Sequence, residues 1–134
     1  IIGSYAGAKG GLGALSLAEE AKADYEAVIA KDASVLKGSA LTSLGVLYYK
    51  VPGWPLGFGD EERAAFMLQR GLKLNPEGID SNYFYADFLA NQGKKEEAKP
   101  YLLKAKAAAP RPGREIADAG RQREIAALQE KLEQ

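Results

Sequence analysis

The chain has 134 residues, the size of one domain, and can bury a core without disulfides or a structural metal. Lysine and arginine together number 18, as do aspartate and glutamate, so the net charge of zero predicts neither a nucleic-acid partner nor binding to an anionic membrane surface. Cysteine and histidine are absent, which excludes thiol nucleophiles, Cys/His zinc sites and Ser-His-Asp triads, and we predict no catalytic residue, no metal and no cofactor.

The first predicted helix, at about residues 2–14, is rich in glycine. Gly3, Gly7 and Gly11 recur every fourth position, and each costs roughly 0.8–1 kcal/mol relative to alanine in a helix. Close approach of another helix backbone would compensate for this cost, and a segment ordered only by a partner is the alternative. The same helix is the predicted contact of a homo-oligomer, since an N-terminal hairpin without a polar cap leaves its apolar face open to a second copy.

Six further helices follow from apolar periodicity and from turn residues. They are expected at about residues 16–32, 36–50, 60–74, 79–91, 95–108 and 114–132. Acidic pairs suit the positive end of a helix dipole, so three helix starts are predicted at Glu19–Glu20, Glu61–Glu62 and Glu96–Glu97. Asp60 is the predicted N-cap of the helix that follows it. On the last helix a thin apolar stripe predicts a cap over a stack of repeats, formed by Ile116, Ile125, Leu128 and Leu132.

Two segments of the chain repeat each other. Ala64, Leu68 and Pro76 each recur 34 residues later, as Ala98, Leu102 and Pro110. Upstream, a first-helix pattern is formed by Leu41, Leu44, Gly45 and Tyr48. This arrangement resembles the tetratricopeptide repeat family, whose period is 34 residues.

The resemblance implies an all-α fold, an α-α superhelix of about three helix hairpins with a C-terminal capping helix. Residues 1–134 would form a single domain. Its repeats would lie at approximately residues 2–33, 38–76 and 79–110, and its capping helix at residues 114–132.

The loop at residues 51–60 is the most unusual stretch of the chain. Gly45 and Ala64 are 19 positions apart, whereas Ala86 and Ala98 are 12 apart, so the central repeat carries a seven-residue insertion. The insertion is rich in proline and glycine and contains Trp54, Leu56 and Phe58. Large aromatic side chains are usually buried, which favours a plug between neighbouring hairpins, and a partner-binding platform is the alternative. The loop is similar to the PGWPxGFGD loop of a group of bacterial tetratricopeptide repeat proteins, many of them exported.

In the family that the chain resembles, the first helix of each pair lines a concave groove. The resemblance implies that the groove of this chain is formed by Ser39, Thr42, Tyr49, Lys50, Asp80, Tyr83, Asp87 and Asn91. A carboxylate clamp is not expected, because Val46, Tyr83 and Asp87 stand where the clamp has basic or amide side chains. Tyrosine beside aspartate and asparagine suits an apolar or cationic ligand, or a peptide held through its backbone, and an ordinary solvated face is the alternative.

The sequence therefore predicts a non-enzymatic scaffold or adaptor that binds a protein or peptide through the groove, the Trp54 loop or both. The alternative is a small-molecule-binding or transporter-accessory protein. No stretch reaches the roughly 20 apolar residues of a membrane span. The compartment is left open by the sequence itself, and the resemblance favours a periplasmic or exported protein over a cytoplasmic one.

Overall fold

The computed structural model of the chain describes residues 11–134. In this part of the chain there are six α-helices: α1 at Gly11–Asp32, α2 at Ser39–Lys50, α3 at Glu61–Leu74, α4 at Ile79–Asn91, α5 at Lys95–Ala107 and α6 at Glu115–Leu132. Helix α2 packs mainly against α3, and α4 packs mainly against α5. The α1 helix covers one end of these two hairpins and α6 the other. The predicted all-α superhelix is thus confirmed.

The first hairpin differs from the prediction. A single helix runs over Gly11–Asp32, so the predicted break at residue 15 is wrong. The acidic pair Glu19–Glu20 does not begin a helix either, since both residues lie exposed in the middle of α1. Residues 2–10 of the glycine-rich segment lie outside the described residues, and so does most of the oligomer contact predicted there.

The connection from α1 to α2 contains a strained stretch of backbone. A 3-10 turn occupies Val35–Gly38, and α2 begins at Ser39, three residues later than predicted. Leu36, Lys37 and Gly38 all have positive φ angles, of 50°, 55° and 80°. Only glycine adopts this left-handed conformation without a steric cost, so Leu36 and Lys37 are held there against their preference.

The later helices begin and end close to the predicted positions. Asp60 caps α3 as expected, because the backbone N–H of Arg63 donates to Asp60 Oδ1 at 3.1 Å. The acidic pairs Glu61–Glu62 and Glu96–Glu97 lie in the first turns of α3 and α5. A residue that was not predicted holds the turn before α4: the buried Asn82 amide donates to the carbonyl oxygens of Pro76 and Gly78, at 2.9 and 2.8 Å.

The core follows the repeat. Ala64 and Leu68 of α3 and their counterparts Ala98 and Leu102 of α5 are each no more than 3% exposed. One cluster joins α2, α3 and α4, and it contains Leu44, Tyr48, Ala64, Leu68 and Phe88. A second cluster joins α4 and α5 to the capping helix through Ile125, Leu128 and Leu132. Ile116, predicted to belong to this apolar stripe, is 89% exposed and takes no part in it.

Glycine lets α2 and α3 approach each other closely. A Cβ atom at Gly45 would lie 2.7 Å from Leu68 Cγ, and one at Gly71 would lie 2.4 Å from Thr42 Oγ1. Real Cβ atoms are not found so near another heavy atom, so both positions require glycine at this helix spacing. The close contact fixes α2, and with it the loop that leaves its C-terminal end.

Candidate partner-binding surface

The loop at residues 51–60, here called the Trp54 loop, is held at its base by backbone hydrogen bonds. The N–H of Gly59 donates to the carbonyl of Pro52 at 2.9 Å, and the N–H of Asp60 donates to the carbonyl of Tyr48 at 2.8 Å. The N–H of Leu56 donates to the carbonyl of Gly53 at 3.1 Å, which closes a turn at the tip. These bonds tie both the base and the tip of the loop to defined partners.

Only one of the three apolar side chains of the Trp54 loop lies against the helices. Phe58 meets Tyr48 edge to face, with ring centroids 5.8 Å apart, and Lys22 of α1 lies 5.6 Å from the centroid of Phe58. Trp54 is 90% exposed and Leu56 is 73% exposed. The predicted plug is therefore wrong for Trp54 and Leu56, because the backbone bonds turn the tip of the loop outward while Phe58 anchors it.

Polar side chains cross the predicted groove between α2 and α4. The Tyr49 hydroxyl donates to Asp87 Oδ2 at 2.6 Å, and Lys50 Nζ lies 3.2 Å from the same oxygen. Burial and the hydrogen bond to Asp87 raise the pKa of Tyr49 well above its ordinary value of 10.0. Tyr49 therefore remains a hydrogen-bond donor at alkaline pH and ties the two helices together.

We expect Tyr49→Phe to lower the free energy of unfolding by about 1.5 kcal/mol at neutral pH, since it removes a hydrogen bond to a charged group. The folded-state pKa is raised, so this stabilisation is complete below pH 10 and is lost as the pH rises above 10. Urea unfolding at a series of pH values should show that the difference in the free energy of unfolding between wild type and variant decreases only above pH 10. A constant difference across that range would contradict the assignment.

The capping helix packs against the face of α4 that carries Asp80, Tyr83 and Phe84. Arg121 Nε donates to Asp80 Oδ1 at 2.8 Å, and the Arg121 guanidinium lies 4.5 Å from the ring centroid of Phe84 and 5.4 Å from that of Tyr83. Tyr83 is only 8% exposed, and burial together with the charge of Asp87 raises its pKa to about 12. This part of the predicted groove is filled by the chain itself.

The eight predicted groove residues differ widely in exposure. Ser39, Lys50 and Asn91 are exposed, whereas Tyr49, Asp80 and Asp87 are half-buried. Thr42 and Tyr83 are buried, Thr42 against Gly71 of α3, which removes both from the accessible surface. Partner binding by the exposed and half-buried residues stays a prediction.

An open depression of about 810 Å³ lies where α2 and α4 begin and the connector to α6 passes. Its lining includes the apolar side chains of Leu36, Phe84 and Pro110, and Ser39 of the predicted groove. Lys37 and Arg114 also border it, and Arg111 reaches across to Asp80 at 3.4 Å. Below, "the depression" means this cavity.

The connector to α6 is fixed by Arg111, which sequence reasoning missed. Its backbone N–H donates to Asp118 Oδ2 at 2.9 Å, and its Nε donates to Asp118 Oδ1 at 2.7 Å. These side-chain and backbone hydrogen bonds from Arg111 lower the pKa of Asp118 below its ordinary value of 3.8. An arginine between two prolines, followed seven positions later by an aspartate, was the only sequence signal of this pair.

We expect Asp118→Asn to lower the free energy of unfolding at neutral pH, because Arg111 loses the closer of its two anionic partners, Asp118 and Asp80. The folded-state pKa is lowered, so the stabilisation is present above pH 3.8 and is lost as the pH falls further. Thermal unfolding from neutral to acidic pH should show that the difference in the free energy of unfolding between wild type and variant decreases below pH 3.8. A difference that persists undiminished at lower pH would count against this account.

Within residues 11–134, no helix combines the length and the apolar character needed to cross a membrane. No curated protein matches the chain. Residues 79–112 match the tetratricopeptide repeat family, and this segment holds α4, α5 and the start of the connector. The match and the packing of its two helices place residues 79–112 among tetratricopeptide repeats, in a chain whose fold is an α-α superhelix.

Proposed function

We propose that the chain is a non-enzymatic scaffold that binds a protein or peptide partner, with the Trp54 loop as its main contact. The observation that carries this proposal is the exposure of Trp54 and Leu56, at 90% and 73%, on a loop tied down by its own backbone hydrogen bonds. Tetratricopeptide repeats serve as protein-interaction scaffolds, which supports a protein partner.

A partner that covers the tip of the Trp54 loop gains free energy from apolar contact at little cost in conformational entropy. An indole ring held in water gains free energy when a partner covers it, and tryptophan is among the residues most enriched at the energetic centre of interfaces. The loop is already ordered, so binding costs little conformational entropy. A rigid loop that presents two apolar side chains therefore suits the centre of an interface.

The groove supplies a polar border to the same surface. Lys50, at the C-terminal end of α2, directly precedes the Trp54 loop, and Asn91 ends α4. Both side chains are exposed, and Lys50 also pairs with Asp87 at 3.2 Å, whereas Tyr49 and Asp87 hold the helices together. A protein segment that contacts the loop and this end of the groove would meet an apolar centre with polar surroundings, as interfaces usually do.

The proposal is tested by affinity capture from lysate and envelope fractions with three versions of the chain. These are wild type, the loop variant Trp54→Ala/Leu56→Ala, and the control Ile116→Ala, whose side chain is 89% exposed on α6. We expect wild type and the control to recover the same partner and the loop variant to lose it. Circular dichroism should show equal helicity for all three. Equal recovery by the loop variant of a partner other than the chain itself would refute the role of the loop, and a groove variant, Lys50→Ala/Asn91→Ala, would then test the second surface.

A small molecule retained through purification, detected by native mass spectrometry, would instead support the alternative predicted from the sequence. The depression opens to solvent along the groove, whereas small-molecule sites bury most of their ligand. This feature supports a protein or peptide partner over a small molecule.

A further inference from the structure

We infer that the Trp54 loop of one copy binds the depression of a second copy, so that the chain associates head to tail. This inference rests on the proposed role of the loop as a binding surface and names its partner. It concerns a surface different from the glycine-rich segment, for which the sequence predicts a possible oligomer contact.

The two surfaces belong to opposite ends of the same helix. The Trp54 loop leaves the C-terminal end of α2, and the depression lies around its first turns, beside Leu36 and Ser39. Helix α2 has 12 residues and is therefore about 18 Å long. The tip of the loop is tied back to Gly53 and its base to Tyr48, so the loop has no freedom to reach its own depression. Only the depression of another molecule is accessible to it.

Both surfaces carry apolar side chains. The loop projects Trp54 and Leu56, and the apolar part of the wall of the depression includes Leu36, Phe84 and Pro110. Its volume of about 810 Å³ lies within the range of roughly 300–1,000 Å³ that ligand sites span, so it has room for both side chains. Leu36 is 79% exposed at the rim, in the left-handed conformation, and an inserted loop would cover it.

The charges around the two surfaces are complementary as well. Lys37 and Arg114 border the depression, and neither forms an ion pair with any residue from 11 to 134. The acidic residues of its lining are already paired: Asp80 with Arg111 and Arg121, and Glu77 with Lys104. The loop leads directly into Asp60, Glu61 and Glu62, which are all exposed. Glu62 likewise has no ion pair among the described residues. The two unpaired cations at the rim of the depression and the unpaired carboxylate at the exit of the loop therefore suit each other.

Two different surfaces in contact form a heterologous interface. Such an interface repeats from copy to copy and produces an open chain or, if the rotation closes, a ring. The association state should therefore exceed a dimer as the concentration rises.

The test uses two variants, each of which removes one surface. The loop variant is Trp54→Ala/Leu56→Ala, and the depression variant is Lys37→Glu/Arg114→Glu. Light scattering should show the mass of wild type rising with concentration towards the millimolar range, with each variant alone monomeric because its dissociation constant rises about 30-fold or more. An equimolar mixture of the two variants should form a one-to-one dimer and nothing larger, since the mixture holds one intact loop and one intact depression per pair.

Ile116→Ala is the matched control and should associate like wild type. Ser39→Arg is a second depression variant that blocks the cavity by size, and circular dichroism checks that every variant keeps its helicity. The inference is overturned if wild type stays monomeric, if either variant associates like wild type, or if the mixture forms no dimer. A monomeric wild type that still captures another protein through Trp54 would overturn this inference and leave the proposed function standing, whereas loss of both would overturn both.

Discussion

Replacing Leu68 with alanine should lower the free energy of unfolding by about 2–5 kcal/mol, the range found for buried leucines whose surroundings cannot collapse. Leu68 is fully buried where α2, α3 and α4 meet. It packs directly over Gly45, which has no side chain to move into the space. Urea unfolding followed by circular dichroism at 222 nm measures the loss.

Leu103→Ala provides the matched control, since this leucine lies on α5 and is 58% exposed. Its substitution should change the free energy of unfolding by no more than about 0.5 kcal/mol. If Leu68→Ala cost less than about 1 kcal/mol, the junction of α2, α3 and α4 would not be the packed core described above.

The periodic part of the fold was predictable because the residues that recur every 34 positions are those that pack in the core. Positions 34 residues apart have equivalent surroundings in successive hairpins. Equivalent buried sites are therefore occupied by a small residue, Ala64 or Ala98, and by a large residue, Leu68 or Leu102. Helix ends were also predictable where a local interaction decides them, as at the Asp60 cap. Where a helix end has no local signal, as around residue 15, the sequence pattern failed.

The candidate site was less predictable because it depends on contacts between distant segments. The exposure of Trp54 follows from backbone bonds between Pro52 and Gly59 and between Tyr48 and Asp60, which composition alone does not reveal. Because large aromatic side chains are usually buried, the composition of the loop favoured a plug. This prediction is wrong for Trp54, which is 90% exposed. Arg121 pairs with Asp80 although the two residues are 41 positions apart in the sequence. The residues next to Asp80 give no indication of this pair.

In the proposed function, the paired residues between the helices provide stability and the Trp54 loop provides recognition. Two pairs of side chains connect different helices: Tyr49 with Asp87, and Arg121 with Asp80. Substitutions at these residues should change the free energy of unfolding before they change recognition. Within residues 11–134, the side chains at the tip of the Trp54 loop are largely exposed and form no comparable pair. A substitution at the tip is therefore the one most able to separate binding from folding.

For the partner recovered by capture, we expect Trp54→Ala to raise the dissociation constant at least about 30-fold, which corresponds to the 2 kcal/mol threshold of an interface hot spot. The free energy of unfolding should change by no more than about 0.5 kcal/mol, since the side chain is 90% exposed and leaves no cavity behind. Isothermal titration calorimetry measures the first quantity, and urea unfolding measures the second. Because Trp54 is the only tryptophan, its fluorescence in wild type should also shift to the blue when the partner covers the indole.

Ile116→Ala controls for the loss of an exposed apolar side chain as such, because Ile116 is 89% exposed on the capping helix, away from the loop. It should bind the partner with the affinity of wild type. Equal affinities for wild type and Trp54→Ala, with no fluorescence shift on binding, would show that the partner contacts a different surface. A large loss of stability in Trp54→Ala would show instead that the indole packs against the chain, and the effect on binding would then be indirect.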